Sequence, residues 1–146
     1  MSVFVDTNVL VYARDASESD KQPLASAWIK SLWESREGRL STQVLQEYYV
    51  AVTRKLEPGL DRAQARTDVR ALEAWRPLDL DAPLLESAWE AEDRFGFAFW
   101  DTLIVAAARR LGCDHLLTEH LQDGQDLDGL VVIDPFRHEP GEILAR

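Results

Sequence analysis

Apolar and polar positions along the 146 residues switch repeatedly between strand-like runs and helical stripes. Val3-Phe4-Val5 is apolar at three consecutive positions, which suits a strand covered on both faces, as in a parallel sheet. Asp6-Thr7-Asn8 follows, all residue types favoured as helix N-caps, and Val9-Leu10-Val11-Tyr12 resumes the apolar pattern. The chain is therefore predicted to open as strand, turn and helix. Over residues 21–37, Ala25, Trp28, Ile29 and Leu32 form a helical stripe, with Gly38 expected to stop it. Residues 39–42 read as a short strand, and residues 43–55 as a helix ahead of Pro58-Gly59. Helices are also predicted over 61–74, 83–95 and 99–111, with Gly112 as the last C-cap and 76–80 as a candidate strand. His115-Leu116-Leu117-Thr118 and Leu130-Val131-Val132-Ile133 read as the remaining strands.

Strands alternating with helices imply an α/β fold whose central sheet is mainly parallel. No repeat or linker divides it, so residues 1–136 are expected to form one domain. Residues 137–146 read as a polar, poorly ordered tail. Cys113 is the single cysteine, which excludes an intrachain disulfide, and no apolar run is long enough for a membrane span. A cytoplasmic location is the expectation. The net charge of −10 argues against a protein held to nucleic acid by global attraction. That charge is uneven. Residues 112–146 carry eight acids and two arginines, whereas Arg54, Lys55, Arg62, Arg66, Arg70 and Arg76 make residues 54–76 the most basic stretch.

Three carboxylates bear on chemistry. Asp6 lies where the first strand ends, and open parallel sheets form their ligand crevices at strand carboxyl ends; it also suits a plain helix cap. Glu47 borders the apolar stripe of Val44, Leu45, Tyr48 and Val52, as a metal ligand or as a snorkelling, ion-paired residue. Asp101 projects into the sector of Ile104, Ala107, Ala108 and Leu111, where it either caps the helix or enters a site. Carboxylates that converge without a matching cation repel each other, and a divalent ion removes that repulsion. Oxygen-only ligands suit Mg²⁺ or Mn²⁺, able to orient and deprotonate water for attack on a phosphodiester. A phosphoryl-transfer receiver also places aspartates at strand ends, but it needs a late-strand lysine, and no lysine follows Lys55.

At these residues the chain resembles PIN-domain ribonucleases, specifically the VapC-type toxins of toxin–antitoxin pairs. Val3-Phe4-Val5-Asp6-Thr7-Asn8 is similar to the family's first motif, and Leu40-Ser41-Thr42-Gln43-Val44-Leu45-Gln46-Glu47 to the segment supplying its second acid. Phe99-Trp100-Asp101-Thr102-Leu103-Ile104 resembles the third, and Leu117-Thr118-Glu119-His120-Leu121-Gln122-Asp123 the fourth. The resemblance implies a three-layer PIN-like fold, RNA cleavage dependent on Mg²⁺ or Mn²⁺, homodimerisation and a cognate antitoxin. It also implies Asp6, Glu47 and Asp101 as metal ligands, with Asp123 as a fourth catalytic acid. Thr7 and Asn8 fall in the first-motif turn, and Thr118 falls near the metal as a hydroxyl ligand or water positioner. One departure stands out: His120 occupies the place where the family commonly has an acid or Asn. Asp123 or Glu119 then remains to take over, while His120 binds metal, shuttles protons or sits on a solvated loop. A catalytically silent RNA- or protein-binding module of the same fold is the alternative reading.

Among other features, the five tryptophans are numerous for this length. Trp28 and Trp89 on apolar stripes point to core or interface, and Trp100 beside Asp101 to substrate contact. Arg62, Arg66 and Arg70 recur every four residues, either as a solvated face paired with Asp61 and Glu73 or as a phosphate-contacting stripe. Cys113 is expected to be a small buried side chain.

Overall fold

The first strand sets the frame. In the computed structural model, which describes residues 1–144, β1 (Val3–Val5) is buried at every position. It lies between two parallel neighbours, β2 (Gly38–Arg39) and β3 (His115–Leu117), with Val3 opposite both Gly38 and His115. On the far side of β3, β5 (Leu130–Ile133) is again parallel, and β4 (Asp126–Leu127) closes that edge antiparallel to β5. The strand order is β2-β1-β3-β5-β4. The predicted α/β class with a mainly parallel sheet is what forms: helices connect β1 to β2 and β2 to β3, while β3 reaches its parallel neighbour β5 through a loop and β4.

The helices are α1 (Thr7–Tyr12), α2 (Lys21–Ser35), α3 (Thr42–Val50), α4 (Arg62–Leu72), α5 (Ala82–Phe95), α6 (Phe99–Arg110) and α7 (Pro140–Leu144). Capping is local chemistry: the Asp61 and Asp81 carboxylates accept from Gln64 N and Leu84 N at the starts of α4 and α5. Gly96 at φ 72° ends α5 and turns the chain back so that α5 and α6 pack against each other. Phe4, Trp28, Leu32, Leu40, Leu84, Leu116 and Leu127 fill the core. None of the helices described is long and apolar enough to cross a membrane.

Several expectations shift. Arg36, not Gly38, ends α2, in the left-handed region at φ 61°. Gly38 serves packing instead: a Cβ there would stand 2.6 Å from the buried Trp75 ring. Beyond α3 the chain widens into a π-helical turn (Ala51–Lys55), where the Thr53 hydroxyl donates to the Tyr49 carbonyl at 2.6 Å. The candidate strand over 76–80 reduces to one parallel bridge between Leu78 and Ser41, since Pro77 lacks the N–H a ladder needs. The hairpin of β4 and β5 was not anticipated, although Asp128-Gly129, both at positive φ, is a strong two-residue turn signal.

The segment after Arg137, expected to be poorly ordered, is docked through Leu144. The Trp28 indole N–H donates to the carbonyls of Pro135 and His138, at 3.1 and 2.9 Å. The His138 ring bridges Asp123 and Glu142. Trp28 is core, as expected, but Trp89 is 44% exposed and lies outside this chain's core. Cys113 is buried. Arg62, Arg66 and Arg70 are exposed and make no ion pair among the described residues; Asp61 caps α4, and Arg66 lies over the Tyr49 ring.

Candidate active site

Asp6 leaves the end of β1 with its backbone N–H bound to the Leu117 carbonyl, so the β1–β3 ladder fixes its Cα. Its carboxylate is buried, at 6% exposure, and accepts two hydrogen bonds. Thr7 N donates to Oδ1 at 2.7 Å, and the Thr118 hydroxyl to Oδ2 at 2.8 Å. Asp6 thus caps α1 and also faces the crevice; the two readings open in the sequence are both satisfied. Burial drives its carboxyl above the usual carboxylate range and the Glu47 charge adds to that, against the Thr118 and Thr7 hydrogen bonds and the His120 charge.

Thr118, directly after β3, is fully buried. Its hydroxyl donates to Asp6 and accepts from Asn8 Nδ2 and from His120 N, each at 3.1 Å. One hydrogen and two lone pairs are thereby used up. The hydroxyl is a fixed support for Asp6, with no lone pair left to coordinate an ion. Asn8 in turn accepts from Glu119 N at 3.2 Å, tying the turn after β1 to the turn after β3.

Glu47 stands on α3, where Thr7 Oγ donates to Oε1 at 2.6 Å and Gln43 Nε2 donates to Oε2 at 3.2 Å. The same Gln43 amide reaches the Trp100 carbonyl at 3.3 Å, coupling α3 to the first turn of α6. Sequence reading passed over Gln43. Its signal was an amide at a buried position four residues before Glu47, the spacing at which helical side chains meet. Asp101, in the first turn of α6, is half-buried, and its carboxylate has no hydrogen-bond or ion-pair partner among the described residues.

These groups share one cleft of about 790 Å³, lined by Asp6, Thr7, Asn8, Gln43, Glu47, Trp100, Asp101 and His120 among others. Asp15 and Glu18, from the loop after α1, add two more acids to its wall, and Lys55 is its one lysine or arginine among the described residues. Three predicted residues do not line it: Thr118 lies behind it, and Asp123 and Glu119 are engaged elsewhere. Asp123 is engaged by His138 Nε2 at 2.8 Å and by Asp134 N at 2.9 Å. Burial pushes its carboxyl up, but those two contacts prevail and hold it below the ordinary range. The Glu119 carboxylate pairs with Lys21. The Glu119 backbone N–H holds Asn8 and its carboxylate also bonds Tyr12 at the cleft wall, but the carboxylate itself does not line the cleft. Fourth-motif residues therefore enter the cleft through His120, and through Thr118 behind it.

Among the described residues no three acid, imidazole or thiolate groups stand close enough to clasp an ion unaided. Mg²⁺ seldom needs such a cage: it keeps several waters and takes one or two carboxylates together with substrate phosphates. A buried Asp6 with no lysine or arginine bonded to it among the described residues, an unpartnered Asp101 and an anchored Glu47 suit a hydrated ion of that kind.

A mainly parallel α/β sheet with acids gathered at the carboxyl ends of its strands defines the class, and the PIN domain family model matches residues 3–120; the chain belongs to that family. Within it the resemblance is to VapC-type toxins. VapC20 of Mycobacterium tuberculosis, a toxin that cleaves the sarcin–ricin loop, is 26% identical with a TM-score of 0.60, over 85% of this chain and 92% of that one. The structure of FitAB bound to an IR36 DNA fragment is 20% identical with a TM-score of 0.68, over 94% and 97% of the two chains. VapBC2 of Rickettsia felis, bound to a promoter DNA fragment, is 17% identical with a TM-score of 0.56, over 90% and 97%. Comparison with curated proteins gives no match.

Proposed function

We propose that the protein is a divalent-metal-dependent endoribonuclease, the toxin of a toxin–antitoxin pair, acting in the cytoplasm. The observation that carries the reading is the convergence of Asp6, Glu47 and Asp101, from three separate elements, on one cleft with a single lysine. Mg²⁺ or Mn²⁺, when bound, supplies a nucleophilic water at neutral pH and stabilises charge on the phosphodiester. Asp6 and Asp101 are the residues to hold it, with Glu47 beside them. Thr118 keeps Asp6 oriented, and the Thr7–Glu47–Gln43 chain keeps Glu47 from turning out of the cleft. A cognate antitoxin and a homodimeric assembly belong to the same reading.

The diversion of Asp123 and Glu119 to His138 and Lys21 favours a second reading, a silent RNA- or protein-binding module. Cleavage of a cellular RNA pool, with Mg²⁺, Mn²⁺ or chelator, separates the two. The ribonuclease predicts metal-dependent cutting that Asp6→Asn abolishes. Antitoxin-free protein that cuts nothing with either metal sinks it.

A further inference from the structure

Trp100 is the most exposed large apolar side chain described, at 63%, although a tryptophan gains more than most residues from burial. Its backbone is anchored. Its carbonyl accepts from the buried Gln43, and its ring meets Phe99 edge-on, with centroids 5.2 Å apart. It lines the acid cleft directly before Asp101. It is therefore an aromatic surface open to solvent beside the carboxylates, on an anchored stretch of backbone.

The charge of the cleft says what that surface meets. Asp6, Asp15, Glu18, Glu47 and Asp101 line it against Lys55. Attraction for phosphate is too weak there to hold a polyanion, even with one divalent ion bound. Stacking of a base on an aromatic ring is insensitive to this charge and needs an unpaired base. Lys55 arrives by way of the π turn. On a regular helix it would stand about 80° round the axis from Glu47. The wider turn brings it back toward the Glu47 face, and π turns recur at functional sites.

We propose that Trp100 is the stacking platform for one unpaired RNA base next to the scissile phosphate, with Lys55 contacting a neighbouring phosphate. The inference rests on the ribonuclease reading and narrows its substrate to single-stranded segments or loops. Specificity for the flanking base then comes from how well that base covers the indole.

The test is binding of a single-stranded oligoadenylate decamer to the full chain in chelator, followed by anisotropy and tryptophan quenching. Trp100→Ala is expected to weaken binding on the order of 5- to 100-fold. Trp100→Phe stays within a few fold of wild type, and Trp89→Ala, an exposed tryptophan outside the cleft, leaves binding unchanged. An abasic decamer binds wild type as weakly as oligoadenylate binds Trp100→Ala. In cleavage assays with Mg²⁺, Trp100→Ala raises KM while kcat stays within a few fold. Equal binding by wild type and Trp100→Ala, or no binding by either, overturns the inference. So does a change in sedimentation of Trp100→Ala without a change in RNA affinity, which would make the ring a subunit contact. Metal-dependent cleavage indifferent to Trp100 removes the platform and leaves the ribonuclease; Trp100-dependent binding without cleavage removes the ribonuclease alone.

Discussion

At Thr118 a single hydroxyl orders the site, because it supports Asp6 while being gripped by Asn8 and by the His120 N–H. Thr118→Val keeps the shape and removes all three bonds. A buried acceptor that loses its donor costs about 1–3 kcal/mol. Since the hydroxyl favours the ionised form of Asp6, its loss raises the Asp6 pKa further. The acidic limb of the cleavage pH–rate profile is expected to move to higher pH, and Thr118→Ser to bring it back. Asp6 itself offers a second measurement. Its folded-state pKa is raised, so folding favours the protonated acid; the stability from this group is full below 3.8 and is lost as pH rises through the folded value. In metal-free buffer, Asp6→Asn should melt increasingly above wild type as pH climbs past that range. A constant or reversed difference would mean that the hydrogen bonds outweigh desolvation. The three acids were legible in the sequence because each breaks a local pattern: one ends an apolar run and two edge apolar stripes. Gln43 and the capture of Asp123 were not, since each depends on which distant segment packs alongside.

Elements carry a different kind of constraint. The edge strand β2 reaches β1 only because Gly38 leaves room for the Trp75 ring, which also packs on Trp33 at 5.2 Å. Gly38→Ala puts a methyl into that ring. Overpacking of this kind typically costs about 1–3 kcal/mol, read as a lower denaturation midpoint with an unchanged m-value. The sequence marked Gly38 as a helix stop, and helix-stop and close-packing glycines look identical until the partner ring is known. By contrast, the β4–β5 hairpin was encoded locally in Asp128-Gly129. The docking of α7 is expected to depend on pH through His138. The hydrogen bond of the His138 ring to Asp123, and then that to Glu142, raise the His138 pKa. The clamp is therefore complete below 6.5 and is lost as pH rises through the folded value. Amide exchange in α7 should quicken between mildly acidic and mildly alkaline buffer, and His138→Ala should remove that pH dependence. Exchange that is equally slow at both would show that Trp28 and the apolar contacts hold α7 without the ring.

Over the whole molecule, a charge of −10 bears on how the proposed RNA substrate would be met. Two surfaces are candidates for its phosphates: the cleft, with Lys55, and the outer face of α4, where Arg62, Arg66 and Arg70 are exposed and make no ion pair among the described residues. Salt dependence separates them, because each neutralised phosphate contributes a slope of about −0.7 to log K against log salt for single strands. Binding through the cleft predicts a slope near −0.7 that falls toward zero in Lys55→Gln, with stacking supplying the rest of the affinity. Binding along α4 predicts about −2 or steeper, flattened by replacing the three arginines with glutamine and untouched by Lys55→Gln. The acidic composition favours the shallow result. An excess of carboxylates repels polyanions at a distance, so on the proposed ribonuclease reading RNA would reach the cleft slowly and be retained by the short-range contacts that remain when salt screens the rest.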